Sequence, residues 1–528
     1  MLDYIIQSIR KNENRLIFIN LVISFYFWLI FISTVQIHSF LPNAFYYMNH
    51  LNFFYWIGLF ISIICTVWII IKKNMHWSLF QSCCILTLFV LYLFGTPCFI
   101  YDTIRFTDAN FVTSDIEKLI NIGNTDIGGI GYLHEHPGLY FFATIISILC
   151  TISPFYIGKY FLIYLMLMLS LTVFIIAWTF SKKYAILSGI AYLSLCWTQE
   201  YHISPQAFTL ILYGFLWLLL FFFIFKNNSK NIFISIIIIS ATIIFSHPGT
   251  PIFIILNITL LFSIIFILSY FKKNYFGYYF ILLSLLFFTI ILYNLWIFNI
   301  SHGVMQIFID LIKRFLENLD NTRYSSLPHV FPANPQYDYD LVNKIRVFMS
   351  IIEFGIAAGC ILGLLLMKKI KESIFFGVWF FSCFIYGLYS LFIGGLHFGR
   401  SYIFALFPFS ILVILFIEFM QSGNLFQNNF IKILKTLIIV FIAIAVLLIP
   451  LTHYSGDCSE YYPESTIIGE KTFQLYSVKD EKYESYLQIT FNNYQIKQQK
   501  GRDYIIKFSG SNKIKIYNSD SLQKYLLV

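Results

Sequence analysis

The sequence predicts an all-α polytopic membrane bundle of about 13 transmembrane helices, followed by a small extracytoplasmic C-terminal domain of α/β or β-rich character. Three observations carry that prediction. Hydrophobic residues make up 59% of the 528-residue chain, at a mean hydropathy of +0.75, a balance that leaves a water-soluble globule of this size too few polar groups for its surface. Apolar runs of about 20 residues recur from Arg15 to Pro450, matching a roughly 30 Å hydrocarbon layer at 1.5 Å per helical residue. Beyond Pro450 the composition turns polar.

Lipid offers no partner to open backbone groups, so the spans must be helices. The apolar segments 16–35, 53–71, 77–98, 160–181, 184–200, 203–225, 231–247, 251–271, 275–298, 345–367, 374–394, 401–420 and 432–450 qualify, 13 in all. The first follows Arg10, Lys11 and Arg15 with no small-residue cleavage site, so it reads as an uncleaved span. Basic groups at Lys72/Lys73, Lys182/Lys183, Lys226/Lys230, Lys272/Lys273, Lys368/Lys369/Lys371 and Lys432/Lys435 mark cytoplasmic turns. An odd number of spans then puts the N-terminus inside and the tail outside. Segment 138–157 would add a fourteenth crossing and invert the downstream turns. Either it lies as a re-entrant or surface helix, or a short segment between 158 and 200 fails to cross.

The resulting organisation is a transmembrane domain over 1–450, with a first large external loop at 99–137 and a second at 301–344, and a small external domain over 451–528. In the tail, Asp503-Tyr-Ile-Ile-Lys-Phe and Lys513-Ile-Lys-Ile-Tyr alternate as short strands do. The formal charge of +9 comes largely from inter-helix turns; it sets topology and gives no reason to expect a nucleic-acid partner. Eight of the nine cysteines lie in apolar runs without metal-ligand spacing and read as small core residues.

Chemistry concentrates in the outer segments. From Tyr101 to Pro137 the chain gathers Asp102, Arg105, Asp108, Asp115, Asp126, His134, Glu135 and His136 between apolar runs. Asp115 to Gly123 reads as a short amphipathic helix capped by Ser114 and stopped by Gly123, leaving Asp108 in a loop upstream. A carboxylate so placed can take a proton from an attacking hydroxyl or help hold a divalent cation, Mg or Mn. His134 and His136 share a strand face but not a helix face, and no further zinc ligand accompanies them. His136-Pro137-Gly138 instead reads as a helix start whose free N–H groups attract phosphate.

Three further outer turns stand out. Gln199, Glu200, Tyr201, His202, Ser204 and Gln206 put six hydrogen-bonding side chains where a hairpin needs two or three, which suits a hydroxyl-rich ligand. Ser246-His247-Pro-Gly-Thr250 and His397-Phe-Gly-Arg400 follow, and Arg400 lies at an outward end against the positive-inside trend, as a phosphate partner would. No Walker loop, dinucleotide fingerprint or nucleophile elbow is present in the sequence.

The order of these motifs resembles the GT-C superfamily of integral-membrane glycosyltransferases, and more closely a prokaryotic GT-C-like group. The resemblance covers roughly residues 100–410. It rests on His136-Pro-Gly-Leu-Tyr140, Ser204-Pro-Gln206, Ser246-His-Pro-Gly-Thr-Pro251, and Arg400 before Phe404-Ala-Leu-Phe-Pro408. It implies inverting transfer, on the external face of a prokaryotic plasma membrane, of a sugar carried on polyprenyl phosphate to a glycan, lipid or protein acceptor. It also implies a first-loop aspartate as base or metal ligand, with Asp108 the best fit and Asp102 second, although the loop lacks the Asp-x-Asp or Asp-Glu pair of better-known members. On this reading Arg400, Arg105 and His136 meet the donor phosphate, while Gln199, Glu200, His202, Ser204, Gln206, His247 and His397 meet sugar or acceptor. Two other functions stay open at this level: a lipid-linked glycan polymerase or ligase, and a non-enzymatic lipid or sugar transporter.

Overall fold

The computed structural model describes residues 2–35, 46–71, 78–101, 104–124, 132–197, 201–226, 229–271, 276–303, 305–306, 309, 313, 340–392, 398–422, 428–454, 496–499, 502–509, 513–518 and 521–527. Before the tail, the regular elements are helical. They run α1 (Leu2–Thr34), α2 (Tyr46–His50), α3 (Phe53–Ile71), α4 (Leu79–Val90), a π-helical turn over Leu91–Gly95, and α5 (Thr96–Ile100). The first-loop helices are α6 (Thr107–Ile122), α7 (Tyr132–Glu135) and α8 (Gly138–Cys150). Then come α9 (Pro154–Trp178), α10 (Ala185–Ser194), α11 (Pro205–Phe225), α12 (Lys230–Ser246), α13 (Thr250–Phe271) and α14 (Phe276–Asn299). The last four are α15 (Asp340–Leu366), α16 (Ile370–Phe392), α17 (Phe398–Ser422) and α18 (Asn428–Thr452).

The chain is a multi-pass integral membrane protein, and among the described residues 11 helices are long and apolar enough to cross a bilayer. That is fewer than the 13 the sequence leads one to expect. Segment 184–200 yields only the 10 residues of α10, and 231–247 the 17 of α12. At 1.5 Å per residue these reach about 15 and 25 Å. Every residue of α10 is buried, so its apolar character serves protein packing and not lipid contact. α17 is the most buried of the long helices and lies against α9, α10, α15 and α16.

Segment 138–157 does not form one span. α8 stops after 13 residues at Thr151, which takes the left-handed conformation (φ 54°), and the Ser147 hydroxyl donates to the Ile152 carbonyl at 2.7 Å. Ser153 then accepts from the Phe155 N–H at 3.3 Å and caps α9, whose Pro154 suits a first turn. The following span therefore begins at Pro154, not near 160.

Long-range hydrogen bonds tie polar segments to the helix ends beside them. Trp296 near the end of α14 donates to the Glu135 carbonyl at 3.0 Å, and Tyr293 to the Pro248 carbonyl at 2.8 Å. Arg346 of α15 donates through Nε to the Thr452 carbonyl of α18 at 2.8 Å. In the tail, four strands, Ile496–Gln499, Arg502–Ser509, Lys513–Asn518 and Ser521–Leu527, pair antiparallel in sequence order.

Candidate functional site

The front half of the polar island borders the candidate site. Phe106 takes φ 72°, a conformation seldom adopted by a bulky residue, and α6 begins directly after it. The helix expected from Asp115 thus starts about two turns earlier, with Ser114 inside it. Its predicted end holds: Gly123 sits at φ 72° and its N–H donates to the Leu119 carbonyl at 2.9 Å. Asp108 consequently lies in the first turn of α6 and not in a loop, exposed, where the unpaired N–H groups of a helix start favour a carboxylate. Ala109, Val112, Ile116 and Leu119 make the buried face of α6. Gly158 lets α9 come close to it, because a Cβ there would stand 2.4 Å from the Thr113 methyl carbon.

Arg105 turns inward and is 8% exposed. Its Nη1 donates to His453 Nε2 at 3.1 Å and Nη2 to the His453 carbonyl at 3.5 Å. The accepting Nε2 carries no proton, so the imidazole facing this guanidinium is neutral. The guanidinium carbon lies 4.4 Å from the Phe106 ring centre and 4.6 Å from that of Tyr454, a double cation–π contact. Around it, Arg105, Phe106, Gly158, Lys159, Tyr201 and His202 line one open cavity, with the His202 and Phe106 rings 4.7 Å apart. Two basic side chains and an imidazole in one small cleft favour an anion. Of the residues singled out in the sequence, Arg105, Tyr201 and His202 are brought together here, with Asp108 two residues from the cavity wall.

The back half of the island has a different use. The Glu135 carboxylate accepts from the Ser301 hydroxyl at 2.8 Å and from the Gly303 N–H at 3.1 Å. His136 is wholly buried, with Nε2 3.0 Å from the Ser301 hydroxyl. Burial pushes its imidazole down to about 4, against the opposing pull of Glu135. A buried neutral ring supplies no charge to a phosphate. Nor is the first turn of α8 open to an anion: a Cβ on Gly138 would meet the Ser246 hydroxyl at 1.8 Å, so the end of α12 occupies that space.

The other motifs are largely caps. Ser204 accepts from the Ala207 N–H at 3.1 Å and starts α11. His247 is buried, and its Nδ1 accepts from the Thr250 N–H at 3.1 Å, capping α13; the Thr250 hydroxyl lies 2.8 Å from that of Thr209. Gln206 and Arg400 stand half-buried on the first turns of α11 and α17 and are not among the residues lining the cavity. Asp102, Asp126, Gln199, Glu200 and His397 lie outside the described residues.

Sequence reasoning missed Lys159, Arg346 and His453. Lys159 and His453 are lone basic residues near the ends of α9 and α18, and Arg346 follows Asn343 and Lys344 at the start of α15. On the topology expected from the sequence Lys159 and Arg346 also break the positive-inside trend, the signal that drew attention to Arg400. A second, almost wholly apolar cavity lies between α15, α16 and α17, with Glu353 and Tyr402 on its wall.

No family model and no curated protein matches this chain. Among solved structures it is similar to the archaeal oligosaccharyltransferase AglB from Archaeoglobus fulgidus, determined in complex with an inhibitory peptide and a dolichol-phosphate. The identity is 13% and the TM-score 0.44, with 79% of this chain and 61% of that chain covered. The chain thus spans less than two thirds of the protein it resembles.

Proposed function

We propose that the chain is a membrane glycosyltransferase that moves a sugar from a polyprenyl-phosphate-linked donor to a glycan, lipid or protein acceptor. The observation that carries this reading is the cavity where Arg105, Lys159 and His202 converge, two residues from the exposed Asp108. A lipid phosphate keeps its tail in the bilayer while its sugar reaches water, so its site needs cations where helices end and loops begin. Lys159, in the first turns of α9, and Arg105, just beyond α5, meet that need. The ordered motifs from His136 to Arg400 support the same reading.

In the proposed reaction an acceptor O–H or N–H attacks the anomeric carbon while the bond from that carbon to the phosphate oxygen breaks. The electron pair leaves with the phosphate, whose charge Arg105 and Lys159 offset, and the proton goes to the Asp108 carboxylate. Inversion follows from a single displacement. Arg400 is proposed as a further phosphate contact, and Gln206 and His202 as contacts to sugar hydroxyls. Among the described residues no three His, Cys, Asp or Glu side chains converge, and the proposed transfer uses Asp108 as a base.

On the same reading the site faces outward from a prokaryotic plasma membrane, with the N-terminus cytoplasmic and the tail a small external domain. The test is a transfer assay in membranes expressing the chain, supplied with polyprenyl-phosphate sugar or nucleotide sugar. Product from the lipid donor alone, absent from vector-only membranes, is the expected result. Product from the nucleotide sugar alone would refute the donor assignment.

A further inference from the structure

Glu353 is a buried carboxyl in the middle of a membrane helix, and the proposed reaction does not use it. Its setting is specific. Tyr402 Oη lies 2.8 Å from Glu353 Oε1, 2.7 Å from Oε2 and 2.8 Å from the Leu195 carbonyl oxygen. A phenol has one proton to give, whereas these contacts set it beside a carboxyl and a carbonyl. The carbonyl, which also takes the Trp197 N–H at 2.9 Å, can only accept, so its 2.8 Å contact uses the phenolic proton, and a protonated carboxyl supplies the proton for its own contact with the phenolic oxygen. The surroundings agree, because both side chains border the apolar cavity, where an ionised carboxylate would be costly.

The pair also sits on a continuous path to the candidate site. Tyr402 packs on Trp197 with ring centres 4.6 Å apart, and the Arg346 guanidinium lies 5.9 Å from the Trp197 ring centre. Arg346 and Glu353 are seven residues apart on α15 and so share one face. Arg346 binds the Thr452 carbonyl at 2.8 Å, and the next residue, His453, receives Arg105 at 3.1 Å. One face of α15 therefore braces both the segment that leads into Tyr201 and His202 and the helix end that holds Arg105.

We infer that Glu353 and Tyr402 are an uncharged positioning pair: the Glu353 acid donates to Tyr402, Tyr402 donates to Leu195, and the turn bearing Tyr201 and His202 is thereby held at the cavity. The role at the cavity rests on the proposed transferase reading, whereas the hydrogen-bond assignment does not. A charged Glu353, acting as base or cation ligand, is the competing assignment, and glutamine separates the two because it donates a hydrogen bond without charge.

The test uses the purified full-length protein with Glu353→Gln, Glu353→Ala and Tyr402→Phe, read by backbone hydrogen exchange near Leu195 and Tyr201 and by KM and kcat for transfer. Ala and Phe should speed exchange there about tenfold, as loss of a buried hydrogen bond allows, and raise KM more than they lower kcat. Gln should stay within about twofold of the parent in both readouts. A Gln variant as impaired as Ala, or Ala and Phe variants with parental exchange, would overturn the assignment. If Glu353→Ala does not accumulate, Tyr402→Phe carries the same comparison. A parent protein without transfer would defeat the proposed activity while the exchange data still decide the pair.

Discussion

The two ends of the polar island are built from the same residue types and do opposite things. Arg105 and Asp108 at the front open toward a cavity and solvent, while Glu135 and His136 at the back are spent on Ser301 and Gly303. Charge in a membrane-protein loop is therefore not by itself a sign of ligand binding. What separates the ends is supply. The segment that follows α14 offers Glu135 a hydroxyl and an N–H, whereas the front end meets Lys159 and His202 and keeps an excess of positive charge.

That contrast is open to attack by substitution. The largest effect should come from the front: Asp108→Asn is expected to lower transfer by about 10²–10⁴-fold, the range for loss of a general base, with no change in melting temperature. A melting shift of several degrees with transfer preserved would reverse the contrast. At the back, Glu135→Ala leaves the Ser301 hydroxyl and Gly303 N–H without their acceptor. It should cost on the order of 2–4 kcal/mol of stability, measured in detergent, while the molecules that fold transfer at the parental rate.

His136 supplies a pH signature for the same end. Unfolded, its ring takes a proton near 6.5; buried, it does so only at about 4. Between those values the unfolded state binds more protons, so stability falls as pH drops from 6.5 to 4 and this contribution is constant below that. The effect is on the order of 3 kcal/mol, and His136→Gln should remove it from the melting-versus-pH curve. A variant curve parallel to the parent's would show that the ring titrates as in solvent. The smallest effect belongs to Lys159→Ala, which should raise KM for the lipid donor about tenfold with kcat little changed, as expected for loss of one charge-assisted contact.

How far the sequence could be read depends on what each residue faces. The long spans were legible because lipid demands unbroken apolar runs, and Gly123 was legible as a stop because its backbone requires φ above zero. The 10-residue α10 was read as a span because hydropathy cannot distinguish burial against protein from burial in lipid. Arg105 and His202 stood out as polar groups among apolar ones. His136 and His247 stood out equally and proved to be ties within the fold, since composition does not reveal that Ser301 and Thr250 wait beside them. His453 escaped notice because its partner is 348 residues away.

Binding of a short-chain polyprenyl phosphate to the purified protein, followed by native mass spectrometry across a concentration series, tests the central claim most directly. Saturable binding is expected, weakened at least about tenfold in a Lys159→Ala/His202→Ala double variant and unchanged in His136→Gln. Equal binding by the parent and the double variant would contradict it.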